Sequence, residues 1–284
     1  MKRVLKYKVV LGCFIIVSAF LLVLPVQALE PLVLYDDFDS KFIDAEKWIG
    51  FDGGIQEVIR EIVPEHQDKD KKKMLGCLHM YQRSYGPSIP GNNVLQFRDP
   101  GEITGIKASI EVNSIKAVCC PAPCSDLTVA QAVVGGSFFN SSDTQPLPDN
   151  REGDVMAFFG VQRFSNSTDP PNTLIVNSWI MRCSNPSCSP LEFLSVQPLG
   201  NVKIGKSVNL TLQWDKLNNQ FIFQRDNDLP VNVPYTVSDT FSPVIPFKQL
   251  VVQGIFQFNA EWPWPMTSVE ASFDNVYVNQ FAAQ

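Results

Sequence analysis

Five carboxylates crowd the stretch LYDDFDSKFIDAEKW, residues 34–48: Asp36, Asp37, Asp39, Asp44 and Glu46, set among Tyr35, Phe38, Phe42 and Trp48. Acids at this density can do acid–base work, hold a hard cation, or keep an aromatic segment in water. Acid–base work needs two carboxyl groups aimed at one point, and the adjacent Asp36 and Asp37 point to opposite sides of an extended chain. The packing reading has Phe38, Phe42 and Trp48 anchor the amino-terminal segment while the acids solvate it. Asp44 then caps the turn that contains Glu46 and Trp48. The cation reading needs oxygen ligands from separate segments. Asp36 or Asp37 with Asp274 would supply them if the first and last strands lay side by side, and the ion would be a structural calcium.

Other chemistry is sparse. His66 stands in a polar turn and His79 in an alternating segment, neither with a Cys, Asp or Ser at motif spacing, so no hydrolytic triad can be assembled. There is no H-E-x-x-H, no glycine-rich phosphate loop and no dinucleotide fingerprint. Asn140-Ser-Ser142, Asn166-Ser-Thr168 and Asn209-Leu-Thr211 match the N-glycosylation pattern, which Ser- and Thr-rich loops produce by chance. Trp48, Trp179 and Trp214 fall within strand or anchoring patterns and read as core. Trp262-Pro-Trp264-Pro differs, because its prolines forbid ladder bonding and hold two rings on an extended loop, where they can stack on a sugar or lid the core.

The elements that would position these groups begin after a leader. Residues 1–28 carry Lys2, Arg3, Lys6 and Lys8, an apolar run from Val9 to Leu24, and Val26-Gln27-Ala28, the pattern of a secretory signal peptide cut after Ala28. That run is shorter than the roughly 20 residues of a bilayer span, and no comparable run follows, so a mature chain without a membrane span, secreted or periplasmic, is expected. Cys13 opens the apolar run rather than closing it, against a lipoprotein signal. Without the leader 19 basic residues face 29 acidic ones, a formal charge of −10. This argues against nucleic acid and anionic membrane surfaces as partners. The basic cluster from Lys69 to Lys73 reads as a hairpin tip.

Residues 29–284 form one expected domain, since no linker-like stretch divides them. Six cysteines remain in an exported chain, which favours disulfides. Cys183 and Cys188 can close a short Pro-containing turn; Cys119, Cys120 and Cys124 are expected to bond among themselves and to Cys77. A thiolate metal cluster is the alternative, although the spacing is not the paired C-x-x-C of structural zinc. Alternating segments run through Lys73 to Tyr81, Ile103 to Val112, Asp154 to Phe164, Thr173 to Met181, Ser207 to Trp214, Gln220 to Arg225, Gln249 to Phe258 and Val269 to Val278. Asp99-Pro-Gly101, Asn218-Asn219 and Asp226-Asn-Asp228 supply turns. In VNLTLQW, residues 208–214, Val208, Leu210, Leu212 and Trp214 share one face, the pattern of a sheet with one side buried. Many such strands without a long helix predict an all-β sandwich or barrel, and the antiparallel two-sheet jelly-roll sandwich is the form that the resemblance described next implies.

The order of pieces, a DDF…W opening, SVNLTLQWDKLNNQFIFQRDN at 207–227 and a closing SVEASFDNVYVN at 268–279, resembles the concanavalin A-like lectin/glucanase superfamily, which includes laminin G-like domains. The resemblance covers most of residues 30–280 and implies a jelly-roll with its first and last strands adjacent and ligands on a concave face or its rim. Laminarinase-like members carry E-x-D-x-x-E on one strand. The nearest match here is Glu152-Gly-Asp154-Val-Met-Ala157, in which Ala157 replaces the acid that would protonate the leaving sugar. Gly153 reads as a turn, which would place Glu152 outside the sheet.

These observations predict no catalytic residues and a non-catalytic protein that binds carbohydrate or another extracellular or envelope surface, with Trp262 and Trp264 as the sugar contacts. A divergent glycoside hydrolase or polysaccharide lyase acting at Glu152 and Asp154 is the alternative, and a structural or adhesion module without a small ligand is a third. Binder and enzyme part on whether Glu152 and Asp154 point together into a cleft.

Overall fold

The computed structural model describes residues 29–53, 56–67, 74–85, 91–118, 128–256 and 266–283. The expected leader, the Lys69–Lys73 cluster, Cys119, Cys120, Cys124, Trp262 and Trp264 lie outside the described residues. The strands are β1 (Leu32–Asp36), β2 (Trp48–Gly53), β3 (Gln56–Gln67), β4 (Met74–Tyr85), β5 (Gly91–Phe97), β6 (Gly105–Val118), β7 (Thr128–Asn140) and β8 (Asp154–Phe164). They continue as β9 (Thr173–Cys183), β10 (Leu191–Lys203), β11 (Ser207–Asp215), β12 (Gln220–Arg225), β13 (Val231–Pro234), β14 (Lys248–Phe256) and β15 (Met266–Asn279).

Two antiparallel sheets result: the alternation predicted an all-β sandwich or barrel, and the sandwich is the jelly-roll that the resemblance implied. One runs β13-β12-β11-β6-β15-β4-β3 with β1 also on β15, and the other runs β10-β9-β8-β7-β14-β5-β2. The first and last strands do lie side by side, Leu32 opposite Asn279 and Leu34 opposite Tyr277. Strand β11 shows why period two works as a signal: Val208, Leu210 and Leu212 are buried while Asn209 on the other side is exposed. Between the sheets Phe97, Phe139, Phe159, Phe221, Phe223 and Phe273 are buried to 1% exposure or less. Each such ring contributes roughly 1.5–3 kcal/mol by leaving water.

Strands β2, β3, β5, β7, β10 and β13 were not among the expected segments, and β7 and β10 show two opposite reasons. Strand β7 is apolar almost throughout and buried on both faces except at Val129, so it has no alternation to detect. Strand β10 fails for the opposite reason, being an edge strand with mostly exposed side chains and two register shifts.

The acidic opening packs as the anchoring reading expected at Phe38 and Trp48, but Asp36 does not solvate the segment: it is buried as an acceptor. Asp36 is buried; its Oδ1 accepts the Phe38 amide at 2.8 Å and its Oδ2 the Trp48 indole N–H at 2.7 Å. Phe38 adopts φ +51°, is fully buried and stacks on Trp48 with ring centroids 5.7 Å apart. Asp44 caps the following turn, its Oδ1 accepting the Glu46 amide at 2.9 Å. Phe42 corrects the expectation: it is 73% exposed, because Phe38 and Trp48 already fill the site.

Candidate functional site

Glu152 and Asp154 do not form a pair in one cleft. Gly153 turns the chain with φ +86°, so Glu152 stands exposed in the turn before β8. Its side chain lines an open cleft of about 470 Å³, together with Ser141, Ser142, Thr144, Asn150, Arg182 and Glu192. Arg182 and Glu192 answer one another there, the Arg182 Nε donating to Glu192 Oε2 at 3.0 Å. Asp154 is instead wholly buried. Its Oδ1 accepts the Asn140 amide and the Val244 backbone N–H, both at 2.9 Å, and its Oδ2 faces Arg151 Nε at 3.7 Å. Those bonds make Asp154 a tie between β7, β8 and the segment before β14. Asn140, the first residue of a glycosylation pattern, is fully buried by the same tie.

The carboxylates expected at a calcium ion face donors. Both Asp36 oxygens accept N–H groups, and Asp274 accepts the Asn275 amide at 2.6 Å on Oδ1 and its side-chain amide at 2.5 Å on Oδ2. Asp37 accepts the Asp39 amide at 3.3 Å. Each of these bonded oxygens already has an N–H partner, and among the described residues no group of three or more His, Cys, Asp or Glu side chains that could hold a metal ion occurs. His79 stands half-buried on β4, as expected of a strand residue, its Nε2 3.2 Å from Glu270 and its Nδ1 3.6 Å from Glu61. Cys183 and Cys188 are joined in a disulfide, and Cys77 is buried on β4.

A second constellation lies on the face of the β10-to-β2 sheet that points away from the core. Alternation sends Val155, Ala157 and Phe159 of β8 into the core and Met156 and Phe158 to the other side. Likewise Leu174, Val176 and Ile180 of β9 face the core, while Trp179 and Met181 join the outer cluster. Trp179 is buried, as its core reading from sequence expected, but in this second cluster on the outer side of the sheet and not between the two sheets.

Registers place the outer side chains in rows across the strands. In one row Gln162 of β8 is opposite Gln131 of β7, Gln131 opposite Gln253 of β14, and Gln253 opposite Asn92 of β5: four carboxamides side by side. Four residues further along β8, Trp179 is opposite Phe158, their rings stacked at 6.3 Å, with Phe247 also 6.3 Å from Phe158. In that row Val196 of β10 is opposite Trp179, and Gln249 and Gln96 continue it toward Ile49 of β2. Between the two rows lie Asn177, Gly160, Val133, Val251, Val94 and Phe51. No residue at these register positions is ionisable.

Exposure across this face differs between its centre and its edges. The centre is buried, with Val133 at 0%, Val251 at 1%, Gln131 at 3% and Trp179 at 8% exposed. The edges are open: Phe193 is 62% and Val196 50% exposed on β10, and Phe51 46% on β2. The Asn177 Oδ1 at the centre is buried without a hydrogen-bond partner among the described residues, an acceptor left unsatisfied in this state. The sequence signal for this face existed only in part. Once β7 is known to be a strand, its glutamine and valines sort by parity, but its uniform apolarity concealed the strand itself.

No family model and no curated protein matches the chain. Among solved structures the chain is similar to a β-1,3-glucanase from Mycobacterium marinum, at 12% identity and TM-score 0.39, over 87% of this chain and 100% of that one. It is also similar to a GlcNAcα1-4Gal-releasing endo-β-galactosidase from Clostridium perfringens, at 11% identity and TM-score 0.41, over 89% of this chain and 63% of that one. A third is the mixed linkage glucan PUL GH16 of Bacteroides ovatus in complex with its G4G4G3G product, at 13% identity and TM-score 0.41, over 86% of this chain and 98% of that one. Similarity at this level assigns no residue and no activity to the chain.

Proposed function

We propose that the protein is an exported, non-catalytic binding module whose ligand is a neutral carbohydrate held on the outer face of the β10-to-β2 sheet. The observation that carries this reading is the row Gln162, Gln131, Gln253 and Asn92, with the Phe158–Trp179 stack two rows along the same sheet face, at register positions that hold no ionisable residue. Carboxamides both donate and accept, as sugar hydroxyls do, and an aromatic surface covers the apolar C–H face of a pyranose. Along β8 the outward positions after Asp154 are Met156, Phe158, Gly160 and Gln162, so the strand offers this face no pair of carboxyl groups. A hydrolase needs such a pair about 5 Å apart for retention or further apart for inversion.

A glycan array on the mature protein, with reducing-sugar release measured on whatever binds, tests the reading. Binding without release is expected. Trp179→Ala should then weaken binding by roughly tenfold, the loss of an aromatic anchor worth about 1–2 kcal/mol. Gln253→Leu, at a half-buried position, should weaken binding while leaving the melting temperature within a few degrees. Reducing ends released by wild type but not by Glu152→Gln would replace this reading with the hydrolase. The described residues contain no helix long and apolar enough to cross a membrane. Trp262 and Trp264 belong to the same proposal as further stacking surfaces, and their separate Ala variants extend the test.

A further inference from the structure

The open cleft beside Glu152 is built independently of the outer sheet face. One wall is the loop between β7 and β8, and the other is the end of β9 with the start of β10. Backbone bonds join the walls, the Gly153 N–H donating to the Cys183 carbonyl at 2.9 Å and the Arg151 N–H to the Pro186 carbonyl at 3.2 Å. The loop is closed on itself by the Ser141 N–H on the Gly153 carbonyl at 2.8 Å, and the opposite wall by the Cys183–Cys188 disulfide. A cleft held at both walls loses little conformational entropy when a ligand enters. Its volume of about 470 Å³ lies within the roughly 300–1,000 Å³ of small-ligand sites. Apart from Gly153 and Cys183, every residue that lines it carries a hydroxyl, an amide or a charge, so it offers little to an apolar ligand.

The way these groups are already bonded selects the ligand. Arg182 and Glu192 are opposite one another on β9 and β10, and the Arg182 Nε and Nη2 both donate to the same carboxylate oxygen, Oε2. Among the described residues nothing bonds Glu192 Oε1 or Arg182 Nη1, so the pair still presents one acceptor and one donor. Glu152 adds a second acceptor, and Asn150, whose Oδ1 takes the Glu152 N–H at 3.0 Å, keeps its Nδ2 as a second donor. Adjacent hydroxyls of a sugar use that combination, because each gives one proton and accepts another. An anionic ligand would not, since Asp143, Glu152 and Glu192 outnumber Arg182 and would meet it with like charge. Nor do these acids converge on one point as a metal requires. We infer that this cleft is a second saccharide site, taking a neutral mono- or disaccharide unit by its hydroxyls, with Arg182 and Glu192 on one pair of hydroxyls and Glu152 and Asn150 on another. This goes beyond the reading of the outer face, and neither site needs the other.

Nuclear magnetic resonance of the backbone amides, with the mature protein titrated by cellobiose, lactose and mannobiose, reads the two sites separately. At least one of these neutral disaccharides should shift the amides of residues 141–153 and 182–184, and digalacturonic acid should bind there roughly tenfold more weakly or not at all. Arg182→Ala/Glu192→Ala removes a partly exposed pair together and leaves neither charge alone. It should lower the affinity read at the cleft by roughly tenfold or more, the loss of hydrogen bonds to charged groups, while amides outside the cleft keep their wild-type positions. Gln253→Leu, on the outer face, should leave the cleft affinity unchanged. Shifts confined to the outer-face amides of Gln131, Gln162 and Gln253 overturn the second site and leave the outer-face reading standing. Shifts at the cleft that survive the double variant, or equal affinity for digalacturonic acid, overturn it as well. Shifts confined to the cleft and lost in the double variant support the second site and remove the outer-face reading. No shift with any of the three disaccharides removes both.

Discussion

Lys248→Met is expected to stabilise the protein at pH 7 and to abolish a rise in stability that the wild type shows between pH 7 and 10.5. Lys248 opens β14 with its side chain directed into the sandwich and only 2% exposed. Its ammonium lies 4.2 Å from the Phe138 ring centroid and donates to the Ser137 carbonyl. Burial pushes its pKa down from 10.5 to about 7. The folded protein therefore holds this proton less tightly than the unfolded chain does. Across pH 7 to 10.5 the unfolded chain binds the extra proton, so stability increases with pH, is fully present above 10.5 and is lowest below 7. A shift of this size spans roughly 3–5 kcal/mol. Methionine has nearly the same shape and no charge. It gives up the bond to Ser137, worth about 1 kcal/mol, and should leave a net gain of roughly 2 kcal/mol or more at pH 7. Urea melts of both proteins at pH 7 and pH 9.5 provide the comparison. Parallel pH dependence in wild type and variant would show that Lys248 is not the group responsible.

The second large effect is a loss. Asp36→Ala removes a buried carboxylate from two charge-assisted hydrogen bonds and leaves the Trp48 indole N–H without its acceptor. It also releases the Phe38 amide, at a residue whose positive φ is sustained by that bond and by stacking on Trp48. With hydrogen bonds to charged groups worth about 1.5–3 kcal/mol and a buried donor left unpaired, the cost should be roughly 3–4 kcal/mol. Asp36→Asn keeps an oxygen for one donor but sets its amide against the other, and should fall between. Glu46→Ala, in the exposed turn of the same segment, should stay within about 0.5 kcal/mol. Equilibrium unfolding of the three variants tests the order. An Asp36→Ala protein within about 1 kcal/mol of wild type would mean that the aromatic stack holds the segment without the carboxylate.

The acidic segment also shows how far spacing alone reaches. That Asp36 and Asp37 could not act together followed from the extended chain, and that Asp44 caps a turn followed from its position before Glu46. Which neighbour Asp36 would bond was invisible, because Trp48 lies twelve residues on and reaches it only when β1 and β2 enter different sheets. Glu152 is similar. Gly153 predicted that the acid would stand outside the strand, and it does, but nothing local indicated that Asp154 would be tied to Val244 ninety residues away.

By itself the sequence determined the class of architecture, because one-sided burial writes a period of two into every half-exposed strand, and those strands carry the pattern from Ser207 to Trp214 and from Gln220 to Arg225. It determined the turns that glycine, asparagine and aspartate enforce, and it kept a second carboxylate from the outward face of β8. The tertiary structure decided where burial is two-sided or absent, as in β7 and β10, since a strand packed on both faces or on neither has no period to read. It also decided the candidate site. The four carboxamides and the Phe158–Trp179 pair stand on separate strands, and only the interstrand register brings them into rows. Register is set by pairing between distant segments, each of which supplies a single residue to a row, so no window of sequence contains the site.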